Sequence, residues 1–411
     1  MVHKINILAP KSQILKKSVL LLIFYFLFPN FSDLLAQNNE TGTLIKVEGL
    51  EVPSLEDSGD MESLKKALTE SLAYLEAAPP ESPFYFGKES YGKKEVQESL
   101  LQLKKFLKKK RSKKKLAQFI KKNFYLYRAD TVGPKNGVTF SSYYEYGLSA
   151  SLVPTEEFRY PLYGRPPELI DAPLEKFDPK KRGERVVGKV VGRELQPYYT
   201  REEIDSYQNL KGRGLEIAWA KDPLEILFLQ IQGSGWIVTP EGKTYHIRYT
   251  GDNGHPYRSV GLNLIQKGIL TKENFSRQKM IDALTQMSEE KRQSFLNINP
   301  RYVFFEIVSD TVPIRGSLSV PLTAGRSIAS DPKYYPPGAM AWIHTLKPIF
   351  DKDGNKIGAE EMRRFVFNQD EGGAIKGPHR IDFFSGKGPE AKKMAENLWY
   401  PGEIYLLIIK K

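Results

Sequence analysis

Two carboxylates, Asp370 and Asp382, flank a glycine pair and a lone lysine in NQDEGGAIKGPHRIDFF, residues 368–384. The second acid is enclosed by Ile381 on one side and Phe383-Phe384 on the other. If residues 380–384 form a strand, Ile381 and Phe383 point one way while Arg380, Asp382 and Phe384 point the other. Asp382 then faces a groove while its neighbours hold it in the core. An acid held against apolar surface is desolvated, which favours its neutral form. A carboxyl that keeps its proton near neutral pH is what cleavage of a glycosidic bond requires. Asp370 would push Asp382 the same way, whereas Lys376 or Arg380 would oppose it. The residues alone leave a second reading equally open, in which Asp382 pairs with Arg380 or caps a turn.

Other patterns do not carry chemistry. In GSG, residues 233–235, the glycines stand directly beside Ser234, so the motif is neither a nucleophile elbow nor a dinucleotide loop. DKDGNKIGAEEM, residues 351–362, starts like a calcium loop but has Lys356 at the turn-glycine position and Met362 at the bidentate-glutamate position; it reads as a hairpin turn. The five histidines show no metal-ligand spacing, and there is no cysteine to join them. An aromatic content of 12% suits stacking on sugar rings but suits a well-packed β protein equally.

The elements that must position these residues come in two textures. Helical patterns occupy about 61–77, with Met61, Leu64, Leu68 and Leu72 on one stripe, and about 93–123, with Val96, Leu100, Leu103 and Leu107 on another. From Thr139 onward, short runs rich in Tyr, Val, Ile and Phe alternate with Gly, Pro, Asp and Asn, including LEILFLQIQGSGWIVTPEGKTYHIRYTGDNG at 224–254, which reads as strands. One helical interlude, about 271–296, presents Ile281, Leu284, Met287 and Phe295. The fold class is α+β and mainly β, dominated by barrels or sandwiches.

Residues 1–36 read as a signal peptide: Lys4, Lys11, Lys16 and Lys17, an apolar run Val19–Phe28, then Leu34-Leu35-Ala36. The apolar core is short for a bilayer-spanning helix, and the alternative to a cleaved signal is an uncleaved membrane anchor. Residues 37–60 read as a linker. The absence of cysteine removes disulfides, thiolate zinc sites and a lipid-bearing cysteine after the signal. The net charge of +12 includes a run at 104–115 (KKFLKKKRSKKK) with nine basic residues. Either it is the solvated face of a helix or it touches an acidic wall polymer or membrane surface. Nucleic acid is a poor partner for an exported protein.

Seven blocks in order, SYYEYG (142–147), EFRYPLYGRPPELI (157–170), FLQIQGSG (228–235), RYTGDNGHPY (248–257), NPRYVFFEI (299–307), SLSVPLTAGRSIASDPKYYPPGAMAWI (317–343) and QDEGGAIKGPHRIDFFSGKGPEA (369–391), resemble the lytic transglycosylases of the MltA family. The resemblance runs from about Thr139 to the C-terminus. It implies a double-psi β-barrel domain with an inserted second β-rich domain and a glycan groove between them. Mapped here, 37–146 is the helical segment and first part of the barrel, 147–298 the insert, and 299–411 the rest of the barrel with the catalytic motif.

The resemblance further implies cleavage of the β-1,4 bond between N-acetylmuramic acid and N-acetylglucosamine of peptidoglycan, without water, leaving a 1,6-anhydromuramyl end. A single aspartate does the proton work, and Asp382 matches it: general acid to the glycosidic oxygen, then general base to the muramyl C6 hydroxyl. Asp370 matches a supporting aspartate. Lys376, Gly373, Gln232, Gly233, Ser234, Tyr143, Tyr144 and Glu145 are the expected substrate-binding residues; no cofactor or metal is implied. Two positions depart from the family pattern, Glu371 after the first aspartate and Tyr146 in place of proline after YYE, and an added charge at 371 would raise the acid's pKa or alter glycan fit. Without a lipobox cysteine, the expected protein is either soluble in the periplasm or held by its signal segment, with the outer membrane or cell wall as the surface it would meet, rather than lipid-anchored. The competing readings are a hydrolase that uses water with Asp370 or Glu371 as its second carboxylate, and a non-catalytic glycan-binding wall protein.

Overall fold

The computed structural model describes residues 44–78, 83–129, 137–181, 184–271 and 275–410, all within the unit Thr43–Lys411. The expected signal peptide and the start of the linker lie outside the described residues. Thirteen strands share one hydrogen-bonded network: β1 (Leu44–Val47), β2 (Phe124–Ala129), β3 (Val138–Ser151), β4 (Tyr160–Tyr163), β5 (Glu216–Ala220), β6 (Gly235–Val238), β7 (Thr244–Asp252), β8 (Val303–Ser309), β9 (Ser327–Ala329), β10 (Met340–Phe350), β11 (Lys356–Asp370), β12 (Arg380–Lys387) and β13 (Trp399–Ile409).

Six of these strands close a ring. β13 pairs β10, β10 pairs β11, β11 pairs β9, β9 pairs β12, β12 pairs β3, and β3 returns to β13. The β9–β11 and β3–β12 contacts are parallel and the others antiparallel. This is the double-psi barrel, and closure leaves its strands without a free edge. The β10–β11 hairpin turns at DKDGN, where the Asp351 carboxylate accepts from Asp353 N at 3.0 Å and Asn355 N at 2.8 Å. The segment is a turn, as its chemistry predicted.

β3 is long enough to serve two sheets. Its residues 139–145 pair with β12, while Tyr146–Ser149 run parallel to β6 and Ala150-Ser151 pair with β5. β6, β7 and β8 continue that second sheet in order. The sequence set the return to the barrel at Asn299-Pro300, yet β8 pairs with β7 from Val303 to Ser309 and lies in the second sheet. Leu148, Ala150, Ile237, Ile247 and Phe305 form part of its core.

One segment differs in type. Residues 224–232, within the run expected as strands, form most of helix α4 (Pro223–Gln232). Asp222 caps it by accepting from Leu224 N at 2.8 Å, Pro223 occupies its first turn, and Gly233 ends it with φ 81°. Leu224, Ile226, Leu227, Phe228 and Leu229 are all buried, so the helix shows no one-sided stripe and its run reads like a strand.

The remaining helices that matter are α1 (Met61–Ala77), α2 (Lys93–Leu107), α3 (Lys113–Asn123), α5 (Val260–Gln266), α6 (Arg277–Thr285), α7 (Glu289–Asn297) and α8 (Pro389–Asn397). The helix expected over 93–123 is two, because Ser112 starts α3 anew by accepting from Lys115 N at 3.3 Å. Leu64, Leu68 and Leu72 and the whole stripe Val96, Leu100, Leu103 and Leu107 are buried in the large core, as patterned, while Met61 is only partly covered. In the interlude, Leu284 and Phe295 are buried but Ile281 and Met287 only partly so. Asp57 and Arg326 tie the N-terminal segment to the barrel: Arg326 Nη1 donates to Asp57 Oδ2 at 2.6 Å and Nη2 to Oδ1 at 3.0 Å, with both side chains buried. No described helix is long and apolar enough to cross a membrane.

Candidate active site

The barrel register lines up five residues from five strands: Trp399 on β13, Ser141 on β3, Asp382 on β12, Ala329 on β9 and Asp370 on β11. Neighbouring strands lie about 4.8 Å apart, so the backbones at Asp382 and Asp370 are separated by about 10 Å with only a methyl side chain between them. Ile381 and Phe383 enter the large core. Phe384, on the Asp382 side of the strand, joins Tyr143, Ile314, Leu322 and Ala329 in a small apolar cluster that floors the site. The alternation predicted for residues 380–384 therefore holds, and it explains an acid set between apolar neighbours.

Asp382 is half-buried and accepts from Ser141 Oγ at 2.5 Å. Removal from water raises its carboxyl to about 6; the Ser141 hydrogen bond and Arg380 oppose this rise and Asp370 adds to it. The alternative left open by the sequence, an ion pair or turn cap, is not what forms. Arg380 places its guanidinium 4.0 Å from the centroid of the Trp399 ring. Its Nη1 finds no hydrogen-bond partner among the described residues. Trp399 itself is 65% exposed, in the same row as the acid with Ser141 between them.

Asp370 ends β11 with both oxygens engaged. Oδ2 accepts from Tyr143 OH at 2.8 Å, and Oδ1 accepts from Ser317 N at 2.8 Å and Glu371 N at 2.9 Å. Burial raises its carboxyl while these donors hold it down. The loop after it is fixed at its far end by Asp331, whose Oδ2 accepts from Gly377 N at 2.8 Å. Gly373 lies against the guanidinium of Arg301, on the segment that leads into β8: a Cβ there would fall 2.8 Å from Arg301 Cζ. Arg301 in turn donates to the buried Asp252 at 2.7 Å, which also accepts from Tyr249 OH at 2.6 Å and from Arg185. The glycine thus lets the loop after Asp370 pack closely on the Arg301 side chain.

Lys376 and Glu371 are exposed at the rim. The surrounding chain still strips enough water from Glu371 to raise its carboxyl, with Lys376 opposing and Asp370 reinforcing. The expectation that Glu371 raises the pKa of the acid is corrected: the groups acting on Asp382 are Ser141, Arg380 and Asp370. Tyr146 fills a place between two apolar clusters, with the Arg277 guanidinium 4.9 Å from its ring centroid.

The other expected residues divide. Tyr143 reaches Asp370 directly, and Glu145, two residues on along the same face, has a carboxyl raised by burial with His246 and Lys387 opposing. Glu145 Oε2 is buried without a hydrogen-bond partner among the described residues. Tyr144 turns to the other face of β3, where its hydroxyl accepts from Arg277 Nη1 at 2.9 Å. Gln232, at the end of α4, accepts from Tyr144 N at 3.1 Å and so brings half-buried Gly233 and Ser234 beside β3. Sequence reasoning missed Ser141 and Trp399, because only strand register brings them to Asp382. Asp331 sits in the quoted block SIASDPKYYPPG, where the Asp-Pro pair marks a turn and was the available signal.

Residues 139–306 match the family described as the MltA specific insert domain, and residues 326–408 match the 3D domain. Membrane-bound lytic murein transglycosylase A of Escherichia coli K12 is 32% identical over 282 residues, covering 68% of this chain and 67% of that protein. The crystal structure of membrane-bound lytic murein transglycosylase from Agrobacterium tumefaciens superposes with a TM-score of 0.71 at 27% identity, covering 89% of this chain and 98% of that one. E. coli MltA with bound chitohexaose superposes at 0.63 with 25% identity, covering 91% and 97%. With the barrel, the second sheet and the two aspartates in place, this chain belongs to the MltA family of lytic murein transglycosylases.

Proposed function

We propose that the protein is a peptidoglycan lytic transglycosylase in which Asp382 carries the proton in both directions. The observation that carries this reading is a carboxyl raised to about 6 by burial, with no free second carboxylate in its strand row. Protonated Asp382 donates to the bridging oxygen as the bond from muramyl C1 to that oxygen breaks, releasing the N-acetylglucosamine 4-hydroxyl. The muramyl C6 hydroxyl then bonds to C1 and gives its proton to the Asp382 carboxylate, restoring the acid. No water is consumed, so the two-carboxylate arrangement of a hydrolase is not required.

Asp370 supports the site by holding Tyr143 and the start of the loop. Its three donors disfavour it as the base that activates water. Glu145, Gln232, Gly233, Ser234, Lys376 and the face of Trp399 line the approach to Asp382 and contact the glycan strand, whereas Tyr144 holds β3 to α6 through Arg277. The inserted lobe begins inside β3 and returns to the barrel after β8. In this reading the chain is exported through its N-terminal segment and works on the periplasmic side of the cell envelope. The E. coli relative solved with bound chitohexaose supports a glycan ligand.

The test is mass spectrometry of muropeptides released from isolated sacculi. Products lighter by one water than hydrolytic muropeptides, and inert to borohydride at the muramyl end, are expected. Borohydride-reducible products would make the protein a hydrolase; glycan binding with no release would make it a binding protein.

A further inference from the structure

Between Glu98 and Asp130 the chain holds twelve lysines and arginines and no aspartate or glutamate. The rest of the chain then carries 49 residues of each sign, so the whole net charge of +12 resides in this one stretch. Eleven of the twelve lie on α2, α3 and the turn joining them, and all eleven are exposed. The opposite faces of the two helices are anchored: Leu100, Leu103, Leu107, Leu116, Ala117 and Ile120 are buried in the large core. The patch is therefore rigid, one-signed and built from ordered helices.

We propose that the α2–α3 hairpin is an electrostatic docking surface for anionic phospholipid headgroups. Three features favour a membrane plane over a threaded acidic polymer. The cations fan over convex helix surfaces, and the cavity beside them is lined by Glu95 and Glu98 as well as Lys94 and Lys410, which does not suit a polyanion. Phe106 and Phe119, the aromatic rings nearest the tip, stack on each other at 4.2 Å and pack against the core, leaving no wedge to insert into a polymer or a bilayer. Clusters of this size bind anionic bilayers by charge alone.

The position of the patch gives docking a purpose. β13 starts at Trp399, in the row of Asp382, and ends at Ile409, whose amide donates to Ser99 Oγ of α2 at 2.9 Å. An extended strand of that length spans up to about 33 Å. Docked through α2–α3, the protein holds its acid groove on the end remote from the bilayer. This inference is independent of the proposed chemistry, since it concerns a different surface and a different readout.

The test is vesicle co-sedimentation of the full chain with phosphatidylcholine vesicles and with mixed phosphatidylglycerol–phosphatidylcholine vesicles, beside a variant carrying Lys105→Gln, Lys108→Gln, Lys109→Gln, Lys110→Gln and Lys113→Gln. Residues 1–43 are common to both proteins, so any difference belongs to the patch. Binding to the anionic vesicles only, lost when salt is raised from about 0.1 M to about 1 M as the screening length falls from about 10 Å to about 3 Å, is expected. At about fivefold per basic residue at an anionic surface, the five substitutions together weaken binding roughly three-thousandfold. An unchanged thermal midpoint shows that the variant is folded, since all five side chains are exposed. Equal binding by the two proteins, equal binding to neutral vesicles, or capture of soluble polyglutamate in place of vesicles would each overturn the proposal.

Discussion

Ser141 and Asp382 face each other across the parallel strands β3 and β12, and the serine hydroxyl donates to the carboxylate at 2.5 Å. That bond favours the charged acid, against the burial that favours the neutral one. The balance sets the pH range over which the proton is available for donation.

Activity that begins with a protonated Asp382 falls as pH rises through about 6. Replacing Ser141 by alanine removes a group that lowers this pKa, so the alkaline limb of the kcat/KM profile moves to higher pH, by about one unit for the loss of a hydrogen bond of roughly 1.5 kcal/mol. Arg380→Gln removes a second lowering influence and shifts the limb in the same direction. A profile that stays in place in both variants would take Asp382 out of the rate-determining proton transfer.

Asp382→Asn separates chemistry from stability. Turnover falls by at least roughly a hundredfold to ten-thousandfold, the usual worth of a positioned acid. The folded carboxyl titrates near 6 and an unfolded one near about 3.9, so the folded state binds more protons between those values. Stability therefore declines as pH rises from about 4 to about 6 and stays low above. The amide removes that decline, making the variant more stable than wild type at pH 7.5 by about 3 kcal/mol and no more stable at pH 4. Paired denaturant titrations at the two pH values check the sign.

Trp399 offers an exposed indole in the row of the acid, one strand beyond Ser141 and backed by the Arg380 guanidinium. Sugar rings have apolar faces that such a surface covers. Trp399→Ala is expected to raise KM about tenfold, the equivalent of one lost apolar contact, with a smaller change in kcat. An unchanged KM for glycan strands would remove the indole from the binding surface.

Much of this site was legible because it is local. Ile381, Asp382, Phe383 and Phe384 are consecutive, so strand alternation alone placed the acid on the face opposite the core. The partners of the acid were not legible in that way. Ser141 lies 241 positions from Asp382, and only the β3–β12 register joins them. The same holds for Trp399, which reaches the row through β3. Helix α4 was misread for a different reason: with Ile226 to Gln230 buried in unbroken succession, it lost the periodicity that marks a helix, while its start and stop signals at Asp222-Pro223 and Gly233 stood in plain view. The resemblance implied Tyr144 in the groove together with Tyr143, but neighbours on a strand face opposite ways, and the Tyr144 hydroxyl meets Arg277 instead.

The barrel also depends on a pair far from the chemistry. Arg326 is buried against Asp57, and its other hydrogen bonds reach Phe365 O, Asp60 O and Ser63 Oγ, so the N-terminal segment, the first turn of α1 and β11 meet on one guanidinium. Asp57→Ala leaves that charge buried without its counterion and is expected to cost about 3–5 kcal/mol of stability. Replacing both, Asp57→Ala with Arg326→Met, restores part of the loss because the unpaired charge is gone. Because the pair touches neither Asp382 nor its row, the alkaline limb of kcat/KM stays at its wild-type pH in whatever fraction remains folded. A shift of that limb in Asp57→Ala would mean that the N-terminal segment sets the acid, and the assignment of its pKa to Ser141, Arg380 and Asp370 would fail.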